Sequence, residues 1–241
     1  MFSRTICRLR PVASRVVATR AAVSQPLRSF SLSAPRLSHG SGDLDLAKKL
    51  DEERKFEIEQ FQPLQNQGIL TQGVWKLTEK AGEKEVTLSR SFGNEKINVL
   101  FTTDAMTDAQ DLEDPEDDSE RVVPVSVSII VEKKAGAADH GALEISATIQ
   151  DNSFFIDGVS FLPSVSIVND NTAEGDWQRR GRYGGPVFSD LEETVQDQFH
   201  TFLEERGFDE ELATFIAAYV ESKEQKEYVG WLEQVSAFVA K

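Results

Sequence analysis

The last fifty residues place the tightest constraint on what this chain can become. Between Ser189 and Val239 the apolar side chains recur at steps of three and four. Leu191, Val195, Phe199, Phe202 and Leu203 make one stripe; Leu212, Phe215, Ile216, Tyr219 and Val220 make a second. Tyr228, Trp231, Leu232, Val235, Phe238 and Val239 continue the second. This is the period of amphipathic helices that each need one face covered. Ser189 and Glu192 have capping-box spacing, which predicts a helix start there. Arg206-Gly207 predicts its end, because glycine takes the left-handed C′ conformation cheaply. Asp209 then caps a second helix, with Glu210 and Glu211 in its first turn. Two helices joined at Gly207-Phe208 cannot cover Phe199, Phe202, Phe215, Tyr219, Tyr228, Trp231, Leu232 and Phe238 between themselves. Those residues are core or subunit interface, lying against a sheet or a sister chain. A ligand groove along the last helix is the lesser reading, since amphipathic helices mostly bury their stripe.

Upstream the period shortens to two. A first helix is predicted over Asp43–Phe61, from Leu46, Leu50, Ile58 and Phe61, with Pro63 stopping it. Alternation then runs from Gly73 to Glu79, Lys84 to Phe92 and Lys96 to Thr102, with Gly82 and Gly93-Asn94 as turns. It resumes over Val122–Glu132, where Val123, Val125, Val127, Ile129 and Val131 share one face. Leu143–Ile149 and Phe154–Phe161 follow, the latter continuing toward Val168. Gly136–Gly141 and Asn152 mark turns, and Asn169–Trp177 reads as a polar loop. Arg179–Tyr183 reads as a short last strand before Gly184-Gly185-Pro186. Strands and helices are segregated, with no βαβ alternation. The class is therefore α+β: a twisted antiparallel sheet of about seven strands, one N-terminal helix and two C-terminal helices.

Charge divides the chain further. Residues 1–42 hold no Asp or Glu and seven arginines, Arg4, Arg8, Arg10, Arg15, Arg20, Arg28 and Arg36. Ser, Ala and Val fill most of the remainder. This is the composition of a mitochondrial transit peptide, and arginine interrupts every apolar run a secretory signal would need. The expected division is a leader over 1–37 and one domain over 38–241. Losing the leader takes seven positive charges from a net −15, leaving −22. Such a surface attracts basic partners and repels phosphate backbones and anionic membranes. Cys7, the one cysteine, lies in the leader, so the remainder has no disulfide or thiol nucleophile.

The most acidic stretch is 104–120. Asp104, Asp108, Asp111, Glu113, Asp114, Glu116, Asp117, Asp118 and Glu120 occupy nine of its seventeen positions, with no basic residue. It is expected to be a solvated, disordered loop. Its spacing lacks the glycine and terminal glutamate of an EF-hand. Two readings remain open for it, a solubilising insertion and a landing surface for basic proteins. Arg179, Arg180 and Arg182 are the basic cluster outside the leader. Counterions for acidic helices are the favoured reading there, and an RNA contact is the alternative. His39, His140 and His200 are too scattered for a metal site. No nucleophile elbow, phosphate loop or dinucleotide fingerprint is present. The expectation is a protein with no catalytic residue, no metal and no cofactor. A pure cation buffer and an enzyme of another kind are the remaining alternatives.

The C-terminal motifs carry a resemblance. Tyr183-Gly-Gly-Pro-Val-Phe188-Ser-Asp-Leu191, Phe202-Leu-Glu-Glu-Arg206-Gly207 and Lys223-Glu-Gln-Lys-Glu-Tyr228-Val-Gly-Trp231-Leu232-Glu resemble the mitochondrial acidic matrix proteins. This is the mitochondrial glycoprotein family, whose animal member is the complement globular-head binding protein. The resemblance implies a doughnut-shaped homotrimer of seven-stranded subunits, with terminal helices building much of the interface. It also implies a chaperone-like role in the matrix, serving translation, ribosome assembly and respiratory-complex biogenesis by binding basic clients such as ribosomal proteins or unassembled subunits. It implies no catalytic residues. The leader gives a first prediction: changing its seven arginines to glutamine should abolish uptake of the radiolabelled chain into isolated mitochondria, read as loss of protease protection.

Overall fold

Strict alternation in the central strands explains why the molecule is layered. In the computed structural model Val86 and Leu88, Ile97, Val99 and Phe101, and Val125, Val127, Ile129 and Val131 all point to one side and are buried. Ile145, Ala147 and Ile149 continue that side. Most intervening positions, Thr87, Ser89, Asn98, Ser126, Ser128, Ser146 and Thr148, face the other way and are polar, with Leu100 and Ile130 the apolar exceptions. A sheet with one apolar face must be covered on that face only. The structure describes residues 40, 42–61, 64, 68–104, 123–135, 138–168 and 172–241.

The described elements run in order. Helix α1 spans Asp43–Gln60 and a short α2 spans Gly68–Thr71. The strands are β1 (Lys76–Glu79), β2 (Glu85–Phe92), β3 (Glu95–Thr102), β4 (Val125–Ala135), β5 (Ala138–Gln150) and β6 (Ser153–Leu162). Then come α3 (Val165–Val168), α4 (Ala173–Arg180), a 3₁₀ turn at Phe188–Asp190, α5 (Glu193–Glu204) and α6 (Glu210–Val239). The six strands form one antiparallel sheet in sequence order. Val86 pairs with Phe101, Val99 with Ile129 and Ile129 with Ile145, so the apolar rows line up across the meander. Asp151 and Asn152 both take positive φ, 50° and 59°, which makes the two-residue turn between β5 and β6.

The cover is α6. Its first half puts Leu212, Ala213, Phe215, Ile216, Tyr219 and Val220 into one cluster with the strand residues, joined by Leu203 and Phe208. Phe101 meets Tyr219 edge-on at 6.3 Å, and Phe208 meets Trp75 and Phe154 at 5.7 and 5.4 Å. Its second half pairs with α1. Ser236 Oγ donates to the Ala47 carbonyl at 3.2 Å, Arg54 reaches Glu233 at 3.6 Å, and Gln225 donates to Glu57. Those partners descend in one helix as they rise in the other, so the two run antiparallel. At thirty residues α6 is about 45 Å long, enough to serve both neighbours.

The region after β6 departs from the sequence reading. Residues 165–168 and 173–180 are helical, where alternation suggested continued strand and a polar loop. Pro163 lacks the N–H that would extend the ladder. Thr172 caps α4 by accepting from the Gly175 N–H at 3.2 Å. The expected strand at Arg179–Tyr183 is consequently absent: Arg179 and Arg180 end α4, and the sheet has six strands. What runs beside β6 is Gly184-Gly185. Ser160 Oγ donates to the Gly184 carbonyl at 2.8 Å. Gly185 has φ +90°, and a Cβ there would collide with the Val159 carbonyl. The capping box also fails to form. Ser189 sits in the 3₁₀ turn, and α5 starts at Glu193 with no side-chain cap.

Ile129 is fully buried on the central strand. Ile129→Ala should cost about 2–5 kcal/mol, measured as a lower urea midpoint at unchanged slope.

Candidate functional site

The elbow between α5 and α6 organises the surface that could act. Helix α5 ends in a Schellman arrangement: the Phe208 N–H reaches the Leu203 carbonyl at 3.2 Å, and the Gly207 N–H reaches Glu204 at 2.9 Å. Gly207 supplies φ +81°. Asp209 Oδ1 then accepts from the Leu212 N–H at 2.9 Å and starts α6, as its position predicted. Arg206, immediately before the glycine, is buried. It donates from Nε to Glu95 Oε2 at 2.8 Å and from Nη2 to Oε1 at 3.0 Å. Its guanidinium lies 3.4 Å from the Phe202 ring centroid and 5.1 Å from that of Phe92. Arg90 donates to the Arg206 carbonyl at 2.6 Å and stacks over Trp75 at 5.1 Å. Burial pushes the Glu95 carboxyl upward, but Arg206 and then Lys133 overcome this and hold it below the usual carboxylate range.

A second inward cation lies along α6. Lys223 is buried and reaches Glu227 at 2.8 Å and Glu79 at 3.4 Å. Glu227 also accepts from the Gly82 N–H at 2.8 Å, tying the β1–β2 turn to α6. Burial raises the Glu227 carboxyl, and Lys223 and the Gly82 N–H more than reverse it, so it sits low. Burial and then Glu79 hold the Tyr219 phenol above its ordinary value.

These pairs decide the sign of the outer surface. From Ser189 to the C-terminus there are thirteen acidic residues and four Arg or Lys. Arg206 and Lys223 point inward and are buried, whereas eleven of the acids are exposed and none is buried. Only Lys226 and Lys241 remain to balance them outside. Beside the elbow is an open cleft of about 550 Å³, whose lining includes His200, Glu204, Asp209 and Glu210 together with Phe154 and Phe208. A lining of carboxylates and aromatic rings suits a cationic side chain. Sequence position makes Asp209 a cap and puts Glu210 in the first turn of α6, but gives neither Glu204 nor Glu210 a role at a site. Their signal was present as carboxylates flanking Arg206-Gly207, but their convergence depends on the turn.

Of the predicted acidic loop, only Asp104 is described. It is exposed and paired with Lys84 at 2.7 Å. Asp108, Asp111, Glu113, Asp114, Glu116, Asp117, Asp118 and Glu120 lie outside the described residues. The predicted core and interface residues divide. Phe215, Tyr219 and Leu232 are buried within the chain, and Phe199 and Phe202 pack partly against the core. Tyr228 is half-buried and stacked on Trp231 at 6.2 Å. Trp231 and Phe238 are 54% and 79% exposed, two helical turns apart on one face of α6. The arginine cluster divides too. Arg179 donates to the Ile167 carbonyl at 2.8 Å, whereas Arg180 and Arg182 are exposed and make no ion pair with any described residue. The counterion reading of Arg180 and Arg182 is not what the structure displays. Among the described residues no group of three or more His, Cys, Asp or Glu is placed to hold a metal, and no helix is long and apolar enough to cross a membrane.

A meandering six-stranded sheet, covered on one face by an elbowed helical pair whose cations turn inward, defines an α+β protein with an acidic helical exterior. Known proteins share this fold. A solved structure of the Trypanosoma brucei p22 protein superposes with a TM-score of 0.66 at 25% identity, covering 83% of this chain and all of that one. The fission yeast (Schizosaccharomyces pombe) mitochondrial acidic protein mam33 is 33% identical over 181 residues, 66% of this chain and 65% of that protein. An uncharacterized mitochondrial protein of Arabidopsis thaliana is 27% identical over 68% of this chain and 62% of its own length. The chain thus matches just under two thirds of the length of these two relatives. The profile of the mitochondrial glycoprotein family matches residues 46–239. This chain belongs to that family.

The elbow pair gives a stability prediction. Arg206→Ala should cost about 3–5 kcal/mol, because it strands the buried Glu95 carboxylate. Since Glu95 sits low in the folded state, the pair's contribution is full above the unfolded carboxylate value of about 4.3 and is lost as pH falls through the lower folded value. The stability gap between wild type and Glu95→Gln should therefore narrow in acid, measured by urea unfolding from pH 7 to pH 3.

Proposed function

We propose that this protein is a non-enzymatic acidic scaffold of the mitochondrial matrix, acting in a chaperone-like way without a cofactor. It gathers basic proteins, such as mitochondrial ribosomal proteins and unassembled respiratory subunits. In that role it supports mitochondrial translation, ribosome assembly and respiratory-complex biogenesis. The observation that carries the reading is the partition of charge on α5 and α6: buried Arg206 and Lys223, exposed carboxylates. An unbalanced anionic surface steers cationic partners and lets them go as salt rises, over a screening length of about 8 Å at physiological ionic strength. The cleft of Glu204, Asp209 and Glu210 is the place where an arginine or lysine side chain enters, and the acidic segment 104–120 adds to the field.

The working unit is a homo-oligomer, a trimer. Trp231 and Phe238 support this, together with Leu46, Phe56 and Ile58 of α1, which are 49%, 53% and 49% exposed. Apolar surface of that extent on two paired helices gains by meeting sister copies.

A labelled oligo-arginine peptide titrated against the full chain tests the charge reading. Affinity should fall steeply between low and physiological salt. Glu204→Gln with Glu210→Gln should weaken binding several-fold while leaving Asp209, the cap, intact. Salt-independent binding, or equal binding of an oligo-glutamate peptide, would refute it.

A further inference from the structure

We propose that the end of α4, Trp177 to Tyr183, is a binding site for single-stranded RNA. It lies apart from the acidic cleft and takes a partner of opposite charge. Trp177 is 75% exposed and Tyr183 is 81% exposed, among the most exposed large apolar side chains of the described residues. Between them stand Arg180 and Arg182, both exposed and both without an ion pair to any described residue. Arg179 is spent on the Ile167 carbonyl and serves to anchor the helix.

The local backbone holds the four residues on one short, hydrogen-bonded segment. Trp177 and Arg180 are three apart on α4 and share a face. The Gly181 N–H closes onto the Trp177 carbonyl at 3.0 Å, and the Arg182 N–H onto Arg179 at 3.2 Å. The helical winding therefore continues past Arg180 through Gly181, itself in the right-handed helical region, and Arg182, with Tyr183 next in the chain. Thr172 secures the other end of the helix. Two exposed guanidinium groups thus stand between two solvent-facing rings on one ordered segment.

That combination matches the two recurring parts of single-strand recognition. Flat rings stack on bases without regard to sequence, and guanidinium groups take phosphates in bidentate fashion. The acidic remainder of the chain selects the form of the ligand. A bilayer or a long duplex would bring an extended anionic surface within a screening length of the exposed carboxylates. A flexible strand can touch the patch alone and curve away.

The test uses the full chain with the leader arginines (Arg4, Arg8, Arg10, Arg15, Arg20, Arg28 and Arg36) changed to glutamine, so that they add no binding. A fluorescein-labelled oligouridine is titrated by anisotropy at stepped salt. Trp177→Ala with Tyr183→Ala should weaken binding about tenfold or more and keep the salt slope. Arg180→Gln with Arg182→Gln should flatten that slope by about 1.4, the share of two single-strand phosphate contacts, while Arg180→Lys with Arg182→Lys should retain it. Both variants should keep the parent circular dichroism and the parent affinity for oligo-arginine, which separates this site from the acidic cleft. The proposal is overturned if oligouridine fails to bind, or if the variants bind it as the parent does. Stronger binding to duplex RNA or to cardiolipin vesicles overturns it as well. So does a change of sedimenting mass in the Trp177/Tyr183 variant, which would make the patch a contact between copies.

Discussion

Arg206 is the point on which the rest of the structure turns. The sheet has one apolar face, and α6 can cover it only if the chain reverses sharply after α5. Gly207 permits the reversal, but its conformational freedom alone would leave the angle loose. The forked pairing of Arg206 with Glu95 of β3 sets that angle, because a guanidinium and a carboxylate meet well in few orientations. Phe202 and Phe92 shield the pair, and Arg90 occupies the carbonyl the turn leaves open. Burying such a pair is no large gain in itself. Its value lies in the penalty on every other arrangement, each of which would strand a charge beneath the helices.

The same choice shapes the exterior. In an acidic chain the scarce cations would neutralise most by lying on the surface. Here Arg206 and Lys223 go inside, each held by carboxylates drawn from strands or from its own helix. The outer faces of α5 and α6 are left with carboxylates that have few local partners. Structural pairing and surface charge are therefore one arrangement: the cations that fix the elbow and the β1–β2 turn against α6 are those withheld from the surface.

The stretch after β6 is where alternation misled. Leu162 to Val168 is apolar enough to read as strand, and Arg179–Tyr183 reads as a short one. Pro163 ends the ladder instead, and Thr172 nucleates a helix whose last turn carries the arginines. The Gly184-Gly185 pair, which reads as a turn, serves chiefly as a close approach to β6 that no side chain would tolerate. Backbone crowding of that kind leaves no periodic trace. The acidic cleft was hidden for a related reason, since Glu204 and Glu210 lie on different helices and converge only across the elbow.

The amino-acid sequence determined the period of each element and hence the layered α+β class, the end of one helix at Arg206-Gly207, the cap at Asp209 and the excess of negative charge. These depend on neighbours a few residues apart, or on totals. Tertiary structure alone decided which residues of the long stripe are core and which are left outward: Phe215, Tyr219 and Leu232 are buried, while Trp231 and Phe238 are more than half exposed. It also decided that two cations would vanish beneath the surface, and that Arg180 and Arg182 would stand exposed between the exposed rings of Trp177 and Tyr183. The reason is that burial belongs to pairs of elements far apart in the chain. A helix cannot know from its own period how much of its stripe the sheet is wide enough to cover.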